Sequence, residues 1–291
     1  MKDILNSTAR LLLPALLSLL ASCGRPVSPV HRTLSAVTFL DVGQGDAALI
    51  RTASGKTILI DAGSRQCGSD TLLSGLGVRQ IDELVISHAH EDHYGNVRRI
   101  LDAFPVKRVI FNRAVFDSGA DPGFMHLHAY VTDSLRLDTL VLSAGRSIQE
   151  DSASTLRCLW PDTAPLPPDI DDTVNALSLV LQIRMGAASL LFTGDINFGV
   201  EKRLVDMRDV RSAILKVAHH GSRSAGSHAF LEAVSPLISV ISVGTDNTYG
   251  HPEEELLERL NSCGGRIFRT DRDGSKTFRL EMDWEVLQDG K

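Results

Sequence analysis

No apolar run in this 291-residue chain is long enough to cross a bilayer, cysteine is scarce, and positive charge is not in excess. The longest apolar stretch, Leu11 to Leu20, is too short for a membrane span. The four cysteines are widely spaced and none forms Cys-x-x-Cys, which excludes a readable disulfide framework and a thiolate zinc site. A formal net charge of −6 excludes a global pull toward nucleic-acid phosphates and leaves only a local basic patch open. Ser222 and Ser224 are not set in Gly-x-Ser-x-Gly, so nothing points to a serine nucleophile. A 43% hydrophobic content is enough for a sizeable core, and no repeat recurs at a fixed period.

What is present is a concentration of metal-capable side chains. Residues 88 to 93 read His-Ala-His-Glu-Asp-His immediately after the apolar run Leu84-Val85-Ile86-Ser87. If that run is a buried strand, the imidazoles and carboxylates stand on a loop at its carboxyl end and can converge on a cation. Two other segments repeat the design. Leu190-Leu191-Phe192 runs into Thr193-Gly194-Asp195, and Ile214 to Ala218 runs into His219-His220-Gly221-Ser222.

The remaining pattern is α/β. Strands are expected at Ala36 to Val42, Ala47 to Thr52 and Lys56 to Asp61, with Ala53-Ser54-Gly55 as a hairpin turn. Apolar β-rich runs then alternate with helical stretches: Leu84 to Ser87, Val97 to Phe104, Val106 to Phe111 and a helix within Pro122 to Leu135. Strands follow at Thr139 to Leu142, Leu156 to Trp160, Ala176 to Ile183 and Ser189 to Phe192, interrupted by a Pro-rich loop from Trp160 to Asp172. The second half reads helix Asn197 to Met207, strand Ile214 to Ala218, helix Ser227 to Val234, strand Leu237 to Val243, helix Pro252 to Asn261 and a closing hairpin, Arg266 to Glu281. Pro252 suits the first position of its helix and Gly264 its stop. Residues 264 to 280 carry five basic against two acidic side chains, which reads either as a local basic patch or, the favoured reading, as a solvated edge strand.

The motifs His88-x-His90-x-Asp92-His93, Phe39-Leu40-Asp41-Val42-Gly43-Gln44-Gly45-Asp46, Leu59-Ile60-Asp61-Ala62-Gly63, Thr193-Gly194-Asp195, Leu215 to Ser222 and Tyr249-Gly250-His251-Pro252 together resemble the metallo-β-lactamase-fold hydrolases. Within that superfamily they are most similar to the hydrolase domain of ComEC-type DNA-uptake, or competence, proteins, over about residues 37 to 280. The resemblance implies a four-layer αββα sandwich of two mixed sheets flanked by helices. It also implies two divalent ions, Zn or Mn, with His88 and His90 on one, Asp92 and His93 on the other, and Asp195 bridging. His220 is the expected further ligand and His219 the side chain at the substrate, although the two can exchange roles. Their adjacency on an extended segment sends them to opposite faces.

His251, at a helix start, either helps bind a phosphate or protonates a leaving group, or is simply a helix N-terminal residue. Asp41, Asp46 and Asp61 either orient imidazoles through their N–H groups or cap turns, with Asp61 the best placed. Many members of the superfamily place a further His ligand where this chain has Asn175 and Ser178, so the first cation is expected to be held more weakly. The implied reaction is attack of metal-bound hydroxide on phosphorus, with Asp92, His219 and His251 as the catalytic set and DNA or another phosphodiester as substrate. Hydrolysis of another ester, of a cell-envelope phosphodiester or of a lactam, and a non-catalytic metal-binding role, remain as alternatives.

Lys2 and Arg10 precede the apolar run, and Leu20-Ala21-Ser22-Cys23 resembles a bacterial lipobox. The expected organisation is a signal peptide over 1–22, a lipidated tether over 23–34 beginning at Cys23, and a hydrolase domain over 35–291. An exported lipoprotein of the cell envelope, membrane-anchored through Cys23 and facing periplasm or exterior, follows from that resemblance.

Overall fold

The computed structural model describes residues 35–113, 121–163, 166, 170, 173–207, 209–280 and 286–288. The signal peptide and tether expected before residue 35 lie outside the described residues, as does most of the Pro-rich loop.

Among the described residues, fifteen strands build two mixed sheets. They are β1 Ser35–Phe39, β2 Ala48–Arg51, β3 Thr57–Ile60, β4 Ile81–Val85, β5 Val106–Phe111, β6 Asp138–Val141, β7 Ser147–Gln149, β8 Ser154–Trp160, β9 Val180–Met185, β10 Ala188–Phe192, β11 Ile214–Lys216, β12 Ile238–Ile241, β13 Arg266–Arg269, β14 Lys276–Leu280 and β15 Val286–Gln288. The first sheet runs in the order β15-β14-β1-β2-β3-β4-β5-β6 and the second in the order β13-β12-β11-β10-β9-β8-β7. The antiparallel start is present: β1 pairs with β2 and β2 with β3, after which β3 to β6 are parallel.

Strand alternation explains the layers. Ile58 and Ile60 of β3 and Leu190 and Phe192 of β10 point into one core between the sheets, with Phe39 stacked on Phe192 at 5.7 Å. Their neighbours point outward. Leu59 joins Leu73, Val97, Ile100 and Phe124 under the helices of the first sheet, and Leu191 joins Val200, Leu204, Phe230 and Leu256 under those of the second. Helix, sheet, sheet and helix therefore form the four layers expected. Each fully buried Phe or Leu in them contributes roughly 1.5–3 kcal/mol.

Three local expectations are corrected. Residues 266 to 281 do not form a hairpin: β13 is a parallel edge strand of the second sheet, whereas β14 lies inside the first, between β1 and β15. Alternation reads the same in either arrangement, and Thr270 decides it. Buried at the start of a short helix, Thr270–Asp273, it accepts from the Val243 amide at 2.8 Å and donates to the Val243 carbonyl at 3.0 Å, turning the chain across the sandwich. The basic-edge reading thus fits β13 but not β14.

The strand expected from Ala176 begins only at Val180, because Thr173–Ala176 is a helical turn and the residues after it are bonded elsewhere. The Leu179 amide donates to the Ser87 carbonyl, and Ser178 Oγ accepts from the Asp195 amide. The helix after His251 starts at Glu254 rather than Pro252, with Glu253 as its N-cap, so His251 lies in the loop before it.

Candidate metal centre

Carboxyl ends of strands from both sheets meet at one edge of the sandwich. Asp61 follows β3, Ser87 and His88 follow β4, Asp195 follows β10, and His219 and His220 follow β11. Asp46 comes from the loop that joins β1 to β2 at the same edge. His90 caps the short helix Glu91–Tyr94, which carries Asp92 and His93. Two sets of ligand atoms result, each within 4.8 Å of one another: Asp46, His93, Asp195 and His220, and His88, His90 and Asp195. Asp195 is common to both. Its Oδ2 lies 3.7 Å from His88 Nε2 and 3.4 Å from His220 Nε2, and its Oδ1 lies 3.4 Å from His93 Nε2. Asp92, on the more open side, is 3.1 Å from His220 Nε2 and 4.0 Å from His93 Nε2.

The hydrogen bonds assign the imidazole protons. Asp61 accepts from the Ser87 amide at 2.7 Å and from Ser87 Oγ at 2.8 Å, and stands 2.9 Å from His93 Nδ1. Ser87 Oγ, having donated, accepts from His88 Nδ1 at 3.0 Å. His220 Nδ1 donates to the Ser242 carbonyl at 3.0 Å. His93 and His220 thereby keep their Nε2 lone pairs for the centre, whereas His88 Nε2 lies 3.1 Å from His90 Nδ1. One carboxylate, Asp61, orients two imidazoles, one directly and one through Ser87.

A divalent cation fits this constellation. His93 Nε2, His220 Nε2, Asp195 Oδ1 and Asp46 Oδ1 are all buried and none has a hydrogen-bond partner. Such atoms cost about 1–3 kcal/mol each when left unsatisfied, and the Nε2 atoms of His93 and His220 both face Asp195, at 3.4 Å each. Burial alone pushes His93 and His220 down, yet Asp195 and its neighbouring carboxylates hold both well above the ordinary imidazole range. Burial likewise pushes Asp195 up, and His220 and His93 bring it well below the carboxylate range. His88 is pushed well down by burial and by His93. Asp61 moves up because burial outweighs His93.

The structure brings together His88, His90, Asp92, His93, Asp195 and His220, with Asp61 behind them. Asp46 stands on the Nδ1 side of the rings, the position from which a carboxylate orients an imidazole: its Oδ1 is 3.3 Å from His220 Nδ1, and its Oδ2 is 3.9 Å from His93 Nδ1 and 2.6 Å from Lys216 Nζ. Asp41 is exposed and receives the Gly43 amide, which is a turn role. Asn175 is buried in the turn that precedes Ser178.

His219 and His220 separate for a reason other than strand alternation. Both have φ of 51° in a tight left-handed turn, so His220 is buried while His219 faces outward, edge-on to His251 at 5.7 Å. That conformation costs roughly 1–2 kcal/mol per residue. The following Gly221, at φ 92°, has no room for a Cβ, which would fall 2.5 Å from Pro252. His251 is pushed down by burial, then by His219 and His220, and Tyr249 stacks on it at 5.8 Å.

Sequence reasoning missed Lys216. It is 3% exposed, and its ammonium is held by Asp46 and by the Val217 carbonyl. A lysine inside an otherwise apolar buried strand was the available signal. The role of Gly45 was also invisible: a Cβ there would sit 2.3 Å from the Asp92 carbonyl oxygen, and the Asp46 amide donates to that same oxygen. The Gly-Gln-Gly-Asp turn is thus seated directly on the ligand-bearing helix.

Comparison with known proteins agrees with this geometry. The model of the metallo-beta-lactamase superfamily matches residues 40–146. The chain is 34% identical over 251 residues to Competence protein ComA of Neisseria gonorrhoeae, covering 84% of this chain and 32% of that protein. It is 26% identical over 275 residues to ComE operon protein 3 of Bacillus subtilis (strain 168), covering 88% of this chain and 34% of that protein. The chain spans about a third of the length of these curated relatives. Among solved structures, the metallo-beta-lactamase fold protein YhfI of Bacillus subtilis superposes with a TM-score of 0.54 at 12% identity, covering 81% of this chain and 96% of that one. The chain carries a metallo-β-lactamase domain and is similar over most of its own length to part of two proteins, one of them named for competence.

Proposed function

We propose that this chain is a metal-dependent phosphodiesterase, acting on nucleic acid or a similar phosphodiester, and that it works outside the cytoplasm as a lipid-anchored protein. The observation that carries the catalytic part is the pair of ligand sets sharing Asp195, one of them with buried, unpartnered Nε2 atoms on His93 and His220 that face that carboxylate. His88, His90 and Asp195 would hold one divalent ion, Zn or Mn. Asp92, His93, Asp195 and His220 would hold the other, with Asp46 at their back. Two such ions supply positive charge at the reacting phosphorus and a nucleophile at neutral pH.

The chain's own residues orient the rest. Asp61 and Ser87 fix the imidazoles of His93 and His88, and Lys216 neutralises Asp46. His219 presents a half-buried imidazole to substrate oxygens, next to His251. The first set has fewer protein donors than the second, which favours weaker retention of its ion. Relatives named for competence support a phosphodiester over a lactam. The exposed ring of Tyr249, stacked on His251, adds a flat face suited to a base.

The test incubates the full chain with Mn or Zn and compares single-stranded DNA, duplex DNA, bis-nitrophenyl phosphate and a chromogenic lactam, beside Asp92→Ala. Phosphodiester cleavage lost in Asp92→Ala is expected. Lactam turnover without phosphodiester cleavage refutes the reading, and bound metal without any turnover indicates a binding role. The anchor is tested separately by incorporation of labelled palmitate, which Cys23→Ser should abolish.

A further inference from the structure

The short helix that carries Asp92 and His93 into the metal centre turns its next residue, Tyr94, toward a second concavity. This groove has a volume of about 410 Å³ and is lined by Arg65, Tyr94, Arg98, Arg99, His126 and Tyr130, together with Gly95, Gly123 and Leu127. In a chain of net charge −6, three guanidiniums and an imidazole share one hollow. None of the four is buried.

The groove is ordered from beneath. Tyr94 is buried, and its hydroxyl donates to Asp121 Oδ1, which also accepts from the Phe124 amide at the start of the helix Pro122–Ala129. The Arg98 guanidinium lies 3.6 Å from the centroid of the Tyr130 ring. Stacking occupies the face of a guanidinium and leaves its in-plane N–H donors available. Acidic groups stand at the rim: Asp102 is 3.9 Å from Arg98 Nε, and Glu91 accepts the backbone amide of Arg65. Neither Arg65 nor Arg99 has an ion-pair partner among the described residues. Exposed arginines normally stand apart, since like charges repel. Their gathering in a hollow beside aromatic rings matches what a phosphodiester backbone requires: forked donors for phosphate oxygens and apolar faces for sugars and bases.

We propose that this groove binds the backbone of a single-stranded polynucleotide and holds the strand alongside the metal centre. The proposal rests on the phosphodiesterase reading and extends it to the class of substrate. A flexible strand can enter a hollow of this size, whereas a rigid duplex meets only its rim. Tyr94 ends the short helix that carries Asp92 and His93, and the Arg65 amide is bonded to Glu91 of that helix, so a strand seated here runs along the element that bears two of the expected ligands.

The test measures binding rather than turnover. Full chain kept in chelator is titrated against fluorescein-labelled oligothymidylate, with anisotropy read over a salt series. Three phosphate contacts predict a slope of log affinity against log salt of roughly −2, at about 0.7 per contact on a single strand. Arg65→Gln combined with Arg99→Gln should flatten that slope by about 1.4 and weaken low-salt binding by about ten-fold, with an unchanged melting temperature. Arg184→Gln, on β9 at the end of the sheet away from the centre, should match the wild type.

Wild-type slope and affinity in the double variant overturn the proposal, as does an equal loss in Arg184→Gln. A loss seen only with anionic phosphatidylglycerol vesicles, with oligonucleotide binding intact, also overturns it and reassigns the groove to a membrane surface. If the double variant loses oligonucleotide binding while the metal-loaded wild type cleaves no phosphodiester, the groove stands and the catalytic reading falls.

Discussion

Replacing Asp61 by Asn tests the proposed metal centre without touching a ligand. Asp61 sits at φ 57°, a left-handed conformation that Asn tolerates better than other non-glycine residues, so the backbone should remain in place. The carboxylate takes part in three short contacts, with the Ser87 amide at 2.7 Å, Ser87 Oγ at 2.8 Å and His93 Nδ1 at 2.9 Å. An amide oxygen can still accept from the Ser87 amide, but its NH₂ then faces two groups that were donors. His93 must move its proton to Nε2, the atom a cation needs, and Ser87 Oγ no longer has a reason to accept from His88. Loss of such orienting contacts typically costs 10–100-fold in metal affinity. Because Asp61 serves two imidazoles, the upper part of that range, about 2–3 kcal/mol, is expected. Zinc titration against a chromogenic competing chelator measures it, and urea unfolding of the metal-free forms should show a difference of no more than about 1–3 kcal/mol. Wild-type affinity and stoichiometry in Asp61→Asn would refute the relay from Asp61 to both histidines.

Lys216→Met leaves the Asp46 carboxylate buried without its cation, 2.6 Å away in the wild type, and should destabilise the chain by about 3–5 kcal/mol in urea unfolding. A wild-type midpoint would show that Lys216 does not neutralise Asp46. Gly45→Ala should keep the fold but displace the helix bearing Asp92, given the 2.3 Å approach of a Cβ to its carbonyl, and lower metal affinity at least ~10-fold. Unchanged metal retention on a chelating column counts against this. Away from the centre, Glu83 is pushed up to about 7 by burial, then by the charge of Glu150 and a hydrogen bond with it, against the pull of Lys56 and Arg108. Its folded-state value lies above the unfolded one of 4.5, so the folded state binds the extra proton between them and stability falls as pH rises through that window. Glu83→Gln should remove up to about 3 kcal/mol of that decline between pH 5 and 7. An identical pH slope in wild type and variant would dismiss the raised Glu83 carboxyl.

The layers were legible because alternation is a local property. Ile58, Leu59 and Ile60 announce two apolar faces, and a sheet with two apolar faces must be covered on both. The ligand run was legible for the same reason, since His88, His90, Asp92 and His93 occupy one short stretch whose spacing survives folding. What escaped depended on contacts across the chain. Asp46 meets Lys216 over 170 positions, and Thr270 anchors to Val243 over 27, with no periodicity to report either. The backbone at His219 and His220 was misread as extended because two non-glycine residues in succession rarely adopt positive φ.

That strained turn and the buried charges have a common explanation. Asp46, Asp61 and Asp195 are each no more than 5% exposed, and Lys216 is the buried ammonium among them. Carboxylates at such density require compensating positive charge. In the metal-free protein it comes from protons on His93 and His220, which is why both imidazoles rise above their ordinary range despite burial. The protons reside on rings whose Nε2 atoms face Asp195, where a cation would also be held, so proton and metal compete for the same lone pairs. A site built only for stability would place apolar residues here. Unpartnered nitrogens and oxygens, and a left-handed turn that aims His220 at Asp195, are what a fold needs if a bound cation is to take the place of those protons.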